Sequence, residues 1–547
     1  MQLSPSAHAD TFCRDSLPPA DQWPDLEFTL PELRYPDRLN AADELLNPTI
    51  AAGGADRRCL LSPAETWTYG QVADRASQIA RVLTEDLGLV PGNRVLLRSA
   101  NNPWLAACWL GVLKAGGVAV TTMPMLRAAE LSRICDIAQV RLALCDHRLT
   151  GELTAAAVPG LRVVTVGAPG PADLTAAAAA KPADFATVRT AADDVAMIAF
   201  TSGTTGRPKA AMHFHRDLIA AADTFSAQVL KPVPADVFAG TPPLAFTFGL
   251  GALLLFPLRA GASALLLEQA APAELADYIA AHGVTVLSTA PTAYRAMLAA
   301  GKAEQLRGLR RPVSAGEHLS ESTWTAFYQA TGVKIIDGIG STEMLHIFVG
   351  SADDDIRPGS TGREVPGYTA AVLDDDGKPA PDGQPGRLAV KGPTGCLYLS
   401  DDRQRSYVRN GWNLTGDTYV RDADGYFWYQ ARSDDMIISG GYNIAGPEIE
   451  EVLLSHPDVT ECGVVGVPDE ARGQIVKAFV ILRDGASADE TKARELQDLV
   501  KRQIAPYKYP RAVEFVTSLP RTNTGKLQRF RLREQAAGEQ AEQTGGN

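Results

Sequence analysis

Short apolar runs alternate with longer segments at helical spacing through most of the chain. The helical pattern begins near Asn40, and Gln71 to Leu87 gathers its apolar residues on one helical face. After the turn Val90-Pro91-Gly92-Asn93, the run Arg94-Val95-Leu96-Leu97 reads as a strand. Pro103 to Ala115 reads as a buried helix stopped by Gly116-Gly117, with a second strand from Gly117 to Val120. Leu142 to Cys145, Val163 to Val166, Val195 to Phe200 and Val284 to Thr289 continue the strand series. Helices follow over His215 to Val229, near Pro291-Thr292, and after Ser320, which caps a first turn holding Glu321 and Ser322. Strands alternating with helices predict an α/β fold with a largely parallel sheet.

The texture changes at both ends and after Gly359. Residues up to about Arg38, rich in Pro, Asp and aromatics, predict a strap on a domain surface, and the Ala/Pro-rich stretch 168–192 predicts a surface connection. From Gly359, short strands separated by Asp376-Gly377, Asp382-Gly383 and Asp424-Gly425 predict hairpins. A last part starts near Asp434, with apolar runs at Val459 to Val467 and Lys477 to Leu482 and a helix over Asp489 to Arg502. The polar end, Gly538 to Asn547, predicts loose chain. The expected organisation is a large N-terminal domain, 1–433, of α/β subdomains with a small β-rich part at 359–433. A small mobile α+β domain, 434–547, completes it.

A length of 547 residues requires more than one domain. The net charge of −12 argues against nucleic-acid binding or a basic membrane-surface role. An anionic ligand must therefore be held by local groups. Cysteines at 13, 59, 108, 135, 145, 396 and 462 form no C-x-x-C pair and fit a reducing, cytoplasmic setting. No signal-peptide core and no membrane-length apolar run is visible. His213 and His215 read as packing or capping residues rather than metal ligands.

The densest chemistry follows the Val195 to Phe200 strand: Thr201-Ser202-Gly203-Thr204-Thr205-Gly206-Arg207-Pro208-Lys209. Glycines admit close backbone approach, while hydroxyls, N–H groups and Lys209 suit phosphate oxygens. Gly206 is followed by Arg207-Pro208, so this is not a Walker A loop. The full order T-S-G-T-T-G-x-P-K resembles the phosphate loop of the adenylate-forming superfamily. That superfamily includes acyl-CoA synthetases, aryl-CoA ligases, firefly-type luciferases and peptide-synthetase adenylation domains.

Four further stretches resemble that superfamily in the expected order. Asp337-Gly338-Ile339-Gly340-Ser341-Thr342-Glu343 implies nucleotide contacts from Asp337, Gly338 and Ile339. The same resemblance puts Thr342 at the α-phosphate and Glu343 near Mg²⁺ on ATP, and it puts Gly316 and Glu317 with the nucleotide. Many members have an aromatic where Ile339 stands. Trp412-Asn413-Leu414-Thr415-Gly416-Asp417 implies ribose binding by Asp417. Tyr429 to Gly441 implies a nucleotide contact from Arg432, a hinge at Asp434, and a pantetheine tunnel along Gly440 and Gly441. Ala431 stands where the common pattern has Gly, and Ile438 where many relatives have Lys. Pro520-Arg521-Thr522-Asn523-Thr524-Gly525-Lys526 implies a mobile catalytic lysine, Lys526, between the acyl carboxylate and the α-phosphate.

The resemblance implies ATP, Mg²⁺ and coenzyme A as partners of a small carboxylic acid, and two steps through an acyl-AMP. The absence of a carrier domain up to residue 547 favours a CoA acceptor. Gly338 to Phe348 resembles benzoate-CoA ligases, with Phe246-Thr247-Phe248-Gly249-Leu250-Gly251 at their aryl pocket. Pro5 to His8, Leu17 to Trp23, Arg94 to Arg98 and Asn101-Asn102-Pro103 resemble 2-aminobenzoate-CoA ligases more closely. The expected aryl slot is formed by Phe246, Thr247, Phe248, Gly249, Gly340, His346 and Ile347, with Thr247 or His346 facing an ortho-amine. Competing readings are a benzoate or substituted-benzoate ligase, a fatty-acid ligase, and a silent nucleotide-binding homologue. Monomer and homodimer both remain open.

Overall fold

The strand series closes into two large sheets. The computed structural model describes residues 3–201, 208–432, 435–439, 442–469, 473–504, 508–522 and 525–544. The first sheet runs in the order Arg162–Val166, Leu142–Asp146, Arg94–Arg98, Val118–Thr122, Val195–Thr201, Lys209–Phe214. Its strands are parallel except the last pair, which is antiparallel. The Lys209–Phe214 strand has no counterpart in the predicted pattern. It returns the chain from the phosphate-loop segment, pairing Lys209 with Thr201.

The second sheet has eight strands, from Ile347–Gly350 and Ile336–Gly340 at one edge to Arg58–Leu61 and Thr66–Thr68 at the other. Its interior pairs are parallel and both edge pairs antiparallel. One hydrophobic cluster joins residues of both sheets with the Pro103–Lys114 helix, eleven of whose residues are buried. Asn102 caps that helix by accepting from Leu105 N–H at 3.0 Å. Its neighbour Asn101 reaches the other sheet, donating to Pro242 O at 3.1 Å and accepting from Leu244 N–H at 2.8 Å. Asn101 thereby pins the turn that leads into residues 246–251.

The N-terminal segment does lie as a strap. Ser4 N–H donates to Asp193 at 3.0 Å, and Ala7 N–H and Ser6 Oγ donate to Asp194 at 2.9 and 2.5 Å. Arg14 lies 3.3 Å from each of these carboxylates. Both aspartates are buried at the foot of the Val195–Thr201 strand, so the strap clamps the hairpin whose other end carries the phosphate loop.

Beyond Gly359 the hairpins form an antiparallel sheet of five strands, and Gly377, Gly383 and Gly425 take positive φ in the three Asp-Gly turns. The C-terminal part has its own three-stranded sheet, Val459–Asp469, Gly473–Leu482 and Ala512–Phe515. Helices Gly446–Leu454 and Glu490–Gln503 pack on one side. The polar end departs from expectation: a helix spans Arg529–Thr544, because Leu532 and Ala536 bury against this sheet and carry the following turns with them. The expected boundary at 433 and 434 lies outside the described residues. Among the described residues, no helix is long and apolar enough to cross a membrane. All seven cysteines are buried without a disulfide.

Candidate active site

Residues from three of the motifs line one cavity of about 1560 Å³. A pocket for one drug-sized molecule needs roughly 300–1,000 Å³, so this space fits more than one ligand group. Thr201, Gly316, Glu317, Gly340, Thr342 and Lys526 line it together with Phe246, Thr247, Phe248, His346 and Ile347. Ser202, Gly203, Thr204 and Thr205 of the phosphate loop lie outside the described residues, as do Asp434, Gly440 and Gly441.

Ser341, Thr342 and Glu343 form a turn after the Ile336–Gly340 strand. Buried neighbours hold each of the three. Tyr407 Oη meets Ser341 Oγ at 3.1 Å. His213 Nε2 meets Thr342 O at 2.8 Å. Burial drops the His213 pKa to about 4, so the ring is neutral and Nε2–H is the donor. Tyr398 Oη donates to Glu343 Oε1 at 2.5 Å. Leu345, buried two residues on, has φ of 69°, a left-handed conformation that costs a branched side chain about 1–3 kcal/mol. Lys209, at the loop's exit, holds its ammonium 5.3 and 5.8 Å from the Tyr398 and Tyr407 rings.

Asp417 lies on the Trp412–Arg421 strand opposite Arg432 on Phe427–Arg432. Arg432 Nη1 donates to Asp417 Oδ1 and Thr415 O, each at 3.3 Å. Gly416 takes a φ of 78° between them, and a Cβ there would press on Arg432. Burial raises the Asp417 pKa, and the Arg432 charge works against it.

Lys526 closes the arrangement from the C-terminal part. Its turn is set by Thr522, which donates N–H to Lys526 O at 2.8 Å and accepts Lys526 N–H on Oγ1 at 3.1 Å. The side chain passes Gly316, its Cε 3.7 Å from where a Cβ would stand. It is ringed by protein yet open to the cavity. That surrounding protein lowers its pKa; Asp417 pulls back upward, Arg432 pushes down, and Glu317 and Glu343 act as Asp417 does. Arg521 donates to Glu317 at 3.2 Å and to Glu461 at 2.6 Å, and Ser322 N–H reaches Glu451 at 3.3 Å, so polar contacts hold the C-terminal part in this orientation.

Two expectations for the site need correction. Gly249 does not line the aryl slot. It sits in the Thr247–Leu250 turn of helix, and a Cβ there would lie 2.1 Å from Pro243 O, so the residue serves close backbone packing. His346 lines the cavity but offers no nitrogen to an amine. Its ring is enclosed by Phe225, Phe248 and Phe256 at 5.6, 5.6 and 4.4 Å. Nε2 contacts Phe248 O at 3.3 Å, and Nδ1 is buried. Burial holds its pKa near 3, so it stays a neutral ring within the wall. Asp337, Gly338 and Ile339 precede the lining residue Gly340 on the same strand. Ile339 is half-buried with its side chain against the core.

The family of AMP-binding enzymes matches residues 49–397, and its C-terminal domain matches 448–526. The chain belongs to this family. The benzoate–CoA ligase of Thauera aromatica is 35% identical to it over 92% of this chain and 98% of its own. The structure of an anthranilate CoA ligase with anthranoyl-AMP superposes with a TM-score of 0.88 at 35% identity, covering 93% of this chain and 99% of that one. A benzoate CoA ligase from Burkholderia xenovorans LB400 gives 0.84 at 33% identity, with 90% and 100% covered. The AMP-binding enzyme described here thus has both domains and the α/β architecture expected from its motifs.

His213, Tyr398 and Tyr407 were not legible as site residues. His213 reads as packing by type, and the two tyrosines lie in a stretch with no motif of its own.

Proposed function

We propose that this AMP-binding enzyme is an ATP-dependent aryl-CoA ligase acting on 2-aminobenzoate. The observation that carries the reading is the meeting of Lys526, Glu317 and Thr342 on a cavity that continues into an aromatic-walled slot, with the charges of Asp417 and Glu343 acting on Lys526. In the first step a carboxylate oxygen attacks the α-phosphorus of ATP, pyrophosphate leaves, and aryl-AMP forms. The Lys526 ammonium offsets repulsion between carboxylate and phosphate and the charge built up in transfer. Thr342 meets the α-phosphate, Asp417 the ribose hydroxyls, and Lys209 the outgoing phosphates. In the second step the CoA thiol attacks the acyl carbon and AMP leaves, after the C-terminal part has turned and withdrawn Lys526.

Among the described residues, no group of three or more His, Cys, Asp or Glu is placed to hold a metal. This fits Mg²⁺, which binds through one or two carboxylates plus substrate phosphates. Glu343 suits that role: Tyr398 occupies Oε1, and Oε2 has no partner among the described residues. Mg²⁺ so bound supplies neutralisation of phosphate charge.

The slot walls, Phe246, Phe248 and Ile347 with His346 behind, suit a flat ring. Thr247 is the polar group left: it lines the cavity, and its hydroxyl makes no hydrogen bond within the described residues. It is assigned to the ortho-amine. Thr247→Ala is expected to lower kcat/KM for 2-aminobenzoate by about 3–10-fold relative to benzoate, the worth of one hydrogen bond. AMP formation across 2-aminobenzoate, benzoate, 2-hydroxybenzoate and octanoate reads both points. Equal losses for the two acids remove the Thr247 contact, and turnover of octanoate alone removes the aryl slot.

A further inference from the structure

We propose that Tyr398 is the positioning residue for Glu343, fixing one carboxylate oxygen so that the other faces the metal-bound phosphates of ATP. The inference rests on the reading of Glu343 given above. Tyr398 is completely buried, and its only polar tip meets Glu343 Oε1 at 2.5 Å. A buried phenol must find a partner, and a carboxylate is a strong acceptor. An ionised carboxylate can only accept, so the phenol O–H of Tyr398 is the donor. A glutamate carboxylate otherwise rotates freely about its last torsion. This bond removes that freedom.

The mounting of the tyrosine makes the contact rigid. Tyr398 bridges to Ala211 on the Lys209–Phe214 strand, flanked by Met212 N–H to Leu397 O at 2.8 Å and Leu399 N–H to Ala210 O at 2.9 Å. Gln404 Oε1 accepts Tyr398 N–H at 2.9 Å. The same strand starts with Lys209, whose ammonium lies over the Tyr398 ring at 5.3 Å. One ring therefore ties the carboxylate of Glu343 to the base of the phosphate loop. A residue that only filled the core would need no hydroxyl at this point.

Tyr398→Phe keeps the ring and its contact with Lys209 and removes only the hydroxyl. By calorimetry, its affinity for ATP with Mg²⁺ is expected to fall about tenfold, as for other groups that orient a metal-binding side chain. Its affinity for ATP in EDTA should stay within about twofold of the parent on the same scale. The Mg²⁺ concentration for half-maximal pyrophosphate release rises in parallel. Glu343→Gln and the double variant complete a cycle, and thermal melts show that each variant is folded. If Tyr398→Phe shifts the two affinities equally while Glu343→Gln loses the Mg²⁺ increment, the positioning role is overturned. If Glu343→Gln keeps the full increment, the reading of Glu343 itself fails. If Tyr398→Phe costs as much in the Glu343→Gln background as alone, the hydroxyl acts elsewhere and the proposal also falls.

Discussion

Lys526→Ala is expected to slow aryl-AMP formation by about 10²–10³-fold, the usual cost of removing one group aimed at developing charge in a closed site. Gly316 leaves room for the lysine stem, and the charges of Asp417, Glu317 and Glu343 act on its ammonium. Alanine leaves the attacking carboxylate to meet the phosphate with no cation between them. The loss should be confined to the ATP-using step. Conversion of synthetic aryl-AMP to the thioester, measured separately, should keep most of its rate. Equal losses in the two half-reactions would mean that Lys526 supports the fold of the site instead.

The same residue sets a pH dependence. Surrounding protein holds the Lys526 pKa below its ordinary 10.5, with Asp417 pulling upward. In the proposed role the protonated ammonium is the working form, so activity is expected below that lowered pKa and is lost as pH rises through it. The alkaline limb of kcat/KM for aryl-AMP formation is expected below pH 10.5. Lys526→Arg, which stays charged, should move the limb upward even where the rate is poor. An unmoved limb would assign it to another group.

Asp417→Ala is expected to raise KM for ATP by roughly 10²-fold. A hydrogen bond to a charged group contributes about 1.5–3 kcal/mol, and a ribose offers two hydroxyls. Alanine also leaves Arg432 without the carboxylate it meets at 3.3 Å. The aryl-acid KM, read at saturating ATP, should change far less. A rise shared equally by both substrates would contradict the ribose assignment.

The motifs with strict order carried most of the candidate site: Lys526, Thr342, Glu343 and Asp417 were proposed from the resemblance of their stretches to the family. The strands that hold those motifs were readable as apolar runs. Lys209–Phe214 was not, since its alternation is short and contains a histidine, and its place depends on pairing across the phosphate loop. Arg98 shows the same limit. It follows the predicted strand Arg94 to Leu97 and would pass for a surface residue, yet it is 1% exposed and donates to the carbonyls of Met123, Pro124 and Leu126. Tyr398 gave no signal because its meaning arises from a bridge to Ala211, far away in sequence. The enclosure of His346 needed three phenylalanines from separate elements.

The strap that clamps the foot of the phosphate-loop hairpin also imposes an order on biosynthesis. Ser4 is synthesised 189 residues ahead of its partner Asp193. At about 5–20 residues per second the delay is roughly 10–40 s. Through that interval Arg14 and Ser6 lack the carboxylates that will hold them, and the first sheet lacks its last two strands. The strap residues therefore wait for the Val195–Thr201 strand before they can seat. A bulky group attached ahead of Ser4 would act on the seating of the strap and leave the earlier strands of the first sheet untouched.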